Sequence, residues 1–212
     1  MPEPSVRAVL WDFGGVLTTS PFDAFAAYED ASGLPAGVIR KLNSTNPDTN
    51  AWARFERGEL GVESFVVTFE AEAAEAGYRI DALQVLAGLR GELRPAMVEA
   101  LRRCHERLLT GLLTNNFEPA STGASEGVGY GSVLGLFHAV VQSSEVGHRK
   151  PDPAFYELAC EKLGIEPGEA VFLDDLGVNL KPARAMGMKT IKVVDPDAAI
   201  DELQSIIGFP LR

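Results

Sequence analysis

The chain has 212 residues and a net charge of −11, from 19 Lys and Arg against 30 Asp and Glu. That length suffices for one sizeable core and a smaller appendage, and the acidic balance argues against non-specific binding to nucleic acid or anionic lipid, which needs basic patches. With 46% apolar and 23% charged residues and a mean hydropathy of +0.03, it reads as globular, and no apolar run approaches the roughly 18 residues of a membrane span.

The start, Met1-Pro2-Glu3-Pro4-Ser5, has neither the basic flank nor the apolar stretch of a secretion signal. Cys104 and Cys160 fall in helical patterns without metal or disulfide spacing. Together these features predict free, buried thiols in a reducing cytoplasm. The first periodic element, Arg7–Trp11, is a short apolar run that stops at Asp12 and Gly14-Gly15, the pattern of a buried parallel strand. From Ser20 to about Leu93 the helical period dominates. Ser20-Pro21 starts a helix that Gly33 stops, and Val62, Phe65, Val66, Phe69 and Ala73 mark another before Gly77. Asn43–Asn50 reads as a polar loop, and no strand is expected in this stretch.

After Pro95 helices and strands alternate. A helix over Ala96–Leu108 precedes a strand at Gly111–Leu113, and a Gly/Ser-rich loop from Ser121 to Ser132 precedes a strand at His138–Val141. Pro153–Leu163 reads as a helix ended by Gly164, Ala170–Leu173 as a strand, and Leu180–Met186 as a helix ended by Gly187. A strand at Thr190–Val194 and a helix at Asp197–Ile207 complete the chain. Strands separated by helices predict an α/β fold with a doubly wound parallel sheet. The core is then discontinuous, residues 1–18 and 95–212, with a helical cap inserted over 19–94.

In such sheets ligands bind outside the carboxyl ends of the strands. Asp12, Thr114-Asn115 and Asp174-Asp175 each follow a predicted strand, and Lys150-Pro151 lies a short loop beyond another. Taken singly, each has an ordinary reading: an Asp after a strand caps a turn, Thr-Asn caps a helix, a lone Lys is solvated. Together they place three carboxylates, a hydroxyl and an ammonium at one edge. Converging carboxylates repel unless a cation neutralises them. With no His or Cys among them the cation is hard, Mg²⁺ before Zn²⁺. Three carboxylates, one ammonium and one divalent ion sum to about zero charge, a pocket suited to a phosphate dianion.

The runs Asp12-Phe13-Gly14-Gly15-Val16-Leu17-Thr18, Leu113-Thr114-Asn115, Lys150-Pro151 and Leu173-Asp174-Asp175 resemble the four ordered motifs of the haloacid dehalogenase superfamily. Val146–Pro151, Val171–Arg184 and the cap segment Trp52–Glu59 are similar to the N-terminal phosphatase domain of soluble epoxide hydrolases. The resemblance implies a Rossmann-like hydrolase core with a cap, and a Mg²⁺-dependent phosphatase in which Asp12 is the nucleophile and forms an aspartyl-phosphate. It implies metal binding by Asp12, the Gly14 carbonyl and Asp175 with Asp174 in support, and phosphate binding by Thr114, the Asn115 N–H and Lys150. Asn179 would orient the Asp174-Asp175 loop. One departure is informative. The family's phosphatases carry a second Asp two residues after the nucleophile as general acid and base, and here that position is Gly14. A phosphate-binding or regulatory protein with little turnover, and a dehalogenase-type hydrolase whose halide needs no proton, are the alternatives.

Trp52, Arg54 and Asn46 are candidate substrate contacts from the cap, and His148 is read as a surface residue near the mouth of the site. The expected substrate is a small phosphorylated metabolite. A lipid phosphate is implied only by the epoxide-hydrolase resemblance.

Overall fold

The computed structural model describes residues 5–89, 91–115 and 130–212. Five parallel strands form one sheet: β1 (Ala8–Trp11), β2 (Leu109–Thr114), β3 (Ala139–Gln142), β4 (Ala170–Asp174) and β5 (Lys189–Lys192), in the order β3-β2-β1-β4-β5. The chain winds from β1 outward through β2 to β3, then crosses to β4 and β5 on the other side. This is the doubly wound α/β topology read from the sequence, and its reversal of direction falls beside β1.

The strands are legible because both faces of the sheet are covered. Val9, Trp11, Val171, Leu173 and Ile191 face one core cluster, while Ala8, Leu10, Ala170 and Phe172 face another. The first is covered by α6 (Pro95–His105) and α11 (Pro196–Ile207), the second by α9 (Pro153–Leu163) and α10 (Gly177–Ala185). A strand sandwiched in this way has no polar face, hence the unbroken apolar runs.

Between β1 and α6 lie α1 (Pro21–Ala31), α2 (Val38–Ser44), α3 (Ala51–Glu56), α4 (Val62–Glu75) and α5 (Ala82–Gly88). They enclose a core of their own, with Phe25, Ile39, Phe55, Phe65, Phe69 and Val85 buried together. This is the inserted helical cap. The two connecting segments run side by side: Thr18 bridges Leu93 in antiparallel fashion, the Thr19 N–H donates to the Glu92 carbonyl at 2.9 Å, and the Arg94 N–H donates to the Leu17 carbonyl at 2.8 Å.

Several boundaries differ from the sequence reading. α2 runs through Asn43 and Ser44, so the polar loop is shorter than expected. α10 starts at Gly177 rather than Leu180 and carries Pro182 inside it, because its buried face of Asn179, Leu180 and Ala183 packs across the proline. α6 ends at His105, and β2 takes in Leu109, Thr110 and Thr114. Most of the Gly/Ser-rich loop lies outside the described residues, but its last three residues open α7 (Tyr130–Leu134). A single helical turn, α8 (Ser143–Val146), follows β3. Both cysteines are buried and free, Cys104 in α6 and Cys160 in α9. No helix among the described residues is long and apolar enough to cross a membrane.

Candidate active site

β1 and β4 are neighbours with Trp11 paired to Leu173, and the Asp12 N–H donates to the Leu173 carbonyl at 2.9 Å. Asp12 and Asp174 therefore emerge together at the carboxyl edge of the sheet. Lys150 reaches the same point from the loop after α8, and its side chain is 1% exposed. The Lys150 Nζ lies 2.7 Å from Asp12 Oδ2 and 2.7 Å from Asp174 Oδ2. The lysine backbone is fixed from β2. Its N–H donates to Asn115 Oδ1 at 2.7 Å, and Asn115 Nδ2 donates to its carbonyl at 2.9 Å. Thr114, buried at the end of β2, completes the edge.

Asp174 is fully buried and saturated with donors. Asn179 Nδ2 donates to Oδ1 and Oδ2 at 3.0 and 3.1 Å, the Leu176 N–H donates to Oδ1 at 2.8 Å, and Lys150 donates to Oδ2. These four contacts fill the acceptor directions of a carboxylate. Asn179 is positioned in turn by Tyr156, whose hydroxyl donates to its carbonyl at 2.7 Å. Asp12 Oδ1 accepts the Phe13 N–H at 2.7 Å, and Asp175 is partly open to solvent. Oxygen atoms of Asp12, Asp174 and Asp175 all lie within 4.8 Å of one another.

The electrostatics show a deficit of positive charge. Burial holds the Asp12 carboxyl well above the usual range; Lys150 pulls it back, and Asp174 and Asp175 push it further up. Burial would lower the Lys150 ammonium, but Asp12 and Asp174 outweigh it and raise the ammonium above its ordinary value. Asp175 is pushed up to about 6, first by burial and then by the charge of Asp174, with Lys150 and Arg94 opposing. One ammonium thus faces three carboxylates. The remaining charge matches one divalent cation, and every available donor is a hard oxygen, so the residues fit Mg²⁺.

The loop after Asp12 is shaped by two glycines. Gly15 has φ +75°, and a Cβ there would sit 2.3 Å from Asp175 Oδ2, so only glycine lets the loop close against that carboxylate. Gly14 is outside the left-handed region, and among the described residues a Cβ there would meet only the Pro21 ring, at 3.2 Å from Cγ. The Gly15 carbonyl accepts from Arg94 Nη1 at 2.8 Å.

The remaining sequence candidates lie in the cap and in the loop just before Lys150. Trp52 packs in the cap against Phe25, Phe65 and Phe69, with ring centroids 5.5, 5.5 and 5.9 Å away. Arg54 pairs with Glu59 at 3.6 Å on an exposed edge. Asn46 is exposed and turns the chain with φ 49°. His148 is exposed with Nδ1 2.8 Å from Asp152 Oδ2. Sequence reasoning missed Arg94 and the cap residue Glu56, which reaches Arg149 next to Lys150 at 3.1 Å. Arg94 had a signal: it occupies an N-cap position before Pro95, where its side chain makes no capping bond. Glu56 had none, lying in a run of charges that reads as a solvated helix end.

A model of the haloacid dehalogenase-like hydrolase family matches residues 6–187. Among curated proteins, acyl-CoA dehydrogenase family member 10 of Mus musculus is 37% identical over 98% of this chain and 20% of its own length. Bifunctional epoxide hydrolase 2 of Sus scrofa is 30% identical over 98% of this chain and 40% of its own length. The chain thus spans well under half of these two relatives. Phosphatase MT3486 of Mycobacterium tuberculosis (strain CDC 1551 / Oshkosh) is 31% identical, with 89% of this chain and 88% of that one covered. A solved haloacid dehalogenase family enzyme from Bacteroides thetaiotaomicron, in complex with magnesium and inorganic phosphate, shares the fold with a TM-score of 0.63 at 18% identity, covering 89% of this chain and 94% of that one. The four motifs, the doubly wound sheet that gathers them at one edge and these matches agree: the chain is a hydrolase of the haloacid dehalogenase-like family.

Proposed function

We propose that the chain is a Mg²⁺-dependent phosphatase acting on a small phosphomonoester through an aspartyl-phosphate on Asp12. One observation carries this reading: a single buried ammonium, Lys150 Nζ, lies 2.7 Å from both Asp12 and Asp174 while Asp175 stays protonated up to about 6. Such a charge balance calls for a divalent cation, and with one bound the site can accept a phosphate dianion. The phosphatase relative from Mycobacterium tuberculosis, with nearly full mutual coverage, supports the same reading.

In this reading residues 1–18 and 95–212 form the catalytic core and residues 19–94 the cap. Asp12, Asp175 and the Gly14 carbonyl hold the metal, and Asp174, its oxygens already engaged, supports them. Bound there, the ion neutralises charge on the phosphoryl oxygens. Asp12 attacks phosphorus, the P–O bond to the leaving group breaks, and water then hydrolyses the aspartyl-phosphate to release inorganic phosphate. Lys150 offsets the charge of the nucleophile and the phosphoryl group, and the Thr114 hydroxyl and Asn115 N–H bind phosphoryl oxygens. These are the positioning and electrostatic tasks that phosphoryl transfer requires. The acidic surface disfavours long polyanionic substrates, so the substrate class is a small phosphorylated metabolite.

A dehalogenase is the second reading, favoured by Gly14, which offers no proton to a leaving group. The Asp174-Asp175 pair weighs against it, because a metal-free site leaves three carboxylates with one ammonium. Phosphate release over a panel of phosphomonoesters, with Mg²⁺ and with EDTA, tests the proposal. Steady-state release that EDTA abolishes is expected. Equal phosphate affinity in Mg²⁺ and in EDTA by calorimetry refutes it.

A further inference from the structure

We infer that Glu56 is a positioning residue through which the cap holds the Lys150 segment. This rests on the reading above that Lys150 binds the phosphoryl group, and it names a control of that lysine from outside the core. Four links run from the cap core to the carboxylates. Trp52, embedded among Phe25, Phe65 and Phe69, donates its Nε1–H to Glu56 Oε1 at 3.0 Å. Glu56 Oε2 lies 3.1 Å from Arg149 Nη1. Arg149 is joined covalently to Lys150, and Lys150 meets Asp12 and Asp174.

The end of α3 is seated on the core at the same place. Ser143 Oγ of α8 donates to the Glu56 carbonyl. Gly58, with φ +73°, comes so close that a Cβ would stand 2.7 Å from the Ser144 carbonyl oxygen. The loop carrying Lys150 is therefore gripped from two sides: by Asn115 of the core at residue 150 and by Glu56 of the cap at residue 149. The ion pair is well enclosed, with side-chain exposures of 15% for Glu56 and 22% for Arg149. Burial raises the Glu56 carboxyl despite Arg149, so its charged form depends on keeping that guanidinium beside it. Removing one partner of such a pair leaves the other charge poorly compensated, and the loop is free to shift.

The test is a double-mutant cycle on the whole chain, with Glu56→Gln, Arg149→Met and the combination. Trp52→Phe serves as a second variant that keeps Glu56 and Arg149 but removes the Nε1–H donor together with part of the ring packed among Phe25, Phe65 and Phe69. Hydrogen exchange of the 143–152 segment is read in the presence of Mg²⁺ without substrate, alongside calorimetric affinity for inorganic phosphate. Glu56→Gln should speed exchange of the Lys150 amide by roughly tenfold and weaken phosphate binding by a similar factor. Trp52→Phe should move both in the same direction by less. In the Arg149→Met background, Glu56→Gln should add little to either. Unchanged exchange at Lys150 in Glu56→Gln overturns the inference, as does full additivity of the two substitutions. A merely structural role for Glu56 would lower the melting temperature while leaving exchange at residues 147–150 and phosphate affinity at wild-type values. The exchange arm needs no phosphate, and absence of phosphate binding by the wild-type chain would count against the phosphatase reading alone.

Discussion

On the proposed phosphatase reading, restoring a carboxylate at the position of Gly14 isolates the general acid for which the motif offers no side chain. On that reading the leaving oxygen departs as an anion or takes its proton from water. The cost of the first step then rises with the pKa of the leaving group, so aryl, acyl and anomeric phosphates should react far faster than simple alkyl phosphates. A positioned general acid is worth roughly 10²–10⁴-fold, about 3–5 kcal/mol of barrier. Gly14→Asp should recover much of that for alkyl phosphates and little for aryl ones. The backbone permits the change: Gly14 is outside the left-handed region, and among the described residues the new Cβ meets only the Pro21 ring at 3.2 Å, which must give by a few tenths of an ångström. Gly15→Ala is the contrasting control. There φ is +75° and the Cβ would lie 2.3 Å from Asp175 Oδ2, so the loop should be strained and metal binding weakened without any gain in chemistry. The assay is quenched-flow measurement of the phosphorylation step over phosphomonoesters of graded leaving-group pKa. A flat dependence in the wild-type chain, or equal gains for aryl and alkyl substrates in Gly14→Asp, refutes the reasoning. A burst of leaving group in the wild type would show that aspartyl-phosphate hydrolysis also lacks its base.

Two further outcomes are expected. Asp12→Asn should abolish turnover yet leave the metal-free melting temperature nearly unchanged, because burial already disfavours the Asp12 charge; activity above a small fraction of wild type removes Asp12 from the nucleophile role. The Asp175 carboxyl is raised to about 6 in the fold from an ordinary 3.8, so between those pH values the folded state holds more protons than the unfolded state. Stability of the metal-free chain should therefore fall as pH rises from about 4 to 6, by about 1–2 kcal/mol once partial solvent screening is allowed for. Mg²⁺ affinity should rise over the same window. Chemical denaturation in EDTA across that range and metal titrations check both, and Asp175→Asn should flatten the stability slope.

The sequence by itself determined the sheet and the edge at which the chemistry gathers. β1 and β4 are apolar on both faces because both are covered, so each reads as an unbroken run ending at an aspartate, and their parallel pairing brings Asp12 and Asp174 together. Helix ends were equally plain where local chemistry marks them: Ser20 accepts the Phe22 N–H just before Pro21, and Gly164 ends α9 in a left-handed cap. Boundaries slipped where tertiary packing overrode local preference, as at the start of α10, which is Gly177 rather than Leu180, and at Asn43 and Ser44 in α2. Only the folded structure decided how the carboxylates divide their work. Asn179, Leu176 and Lys150 saturate Asp174, while Asp12 and Asp175 keep acceptor capacity. It also decided that Arg94 pins the Gly15 carbonyl and that Glu56 of the cap meets Arg149, contacts that join residues 79 and 93 positions apart. Hydrophobic period and cap chemistry are local and leave a trace in the sequence. An ion pair between two solvated-looking charges leaves none until the chain has closed around it.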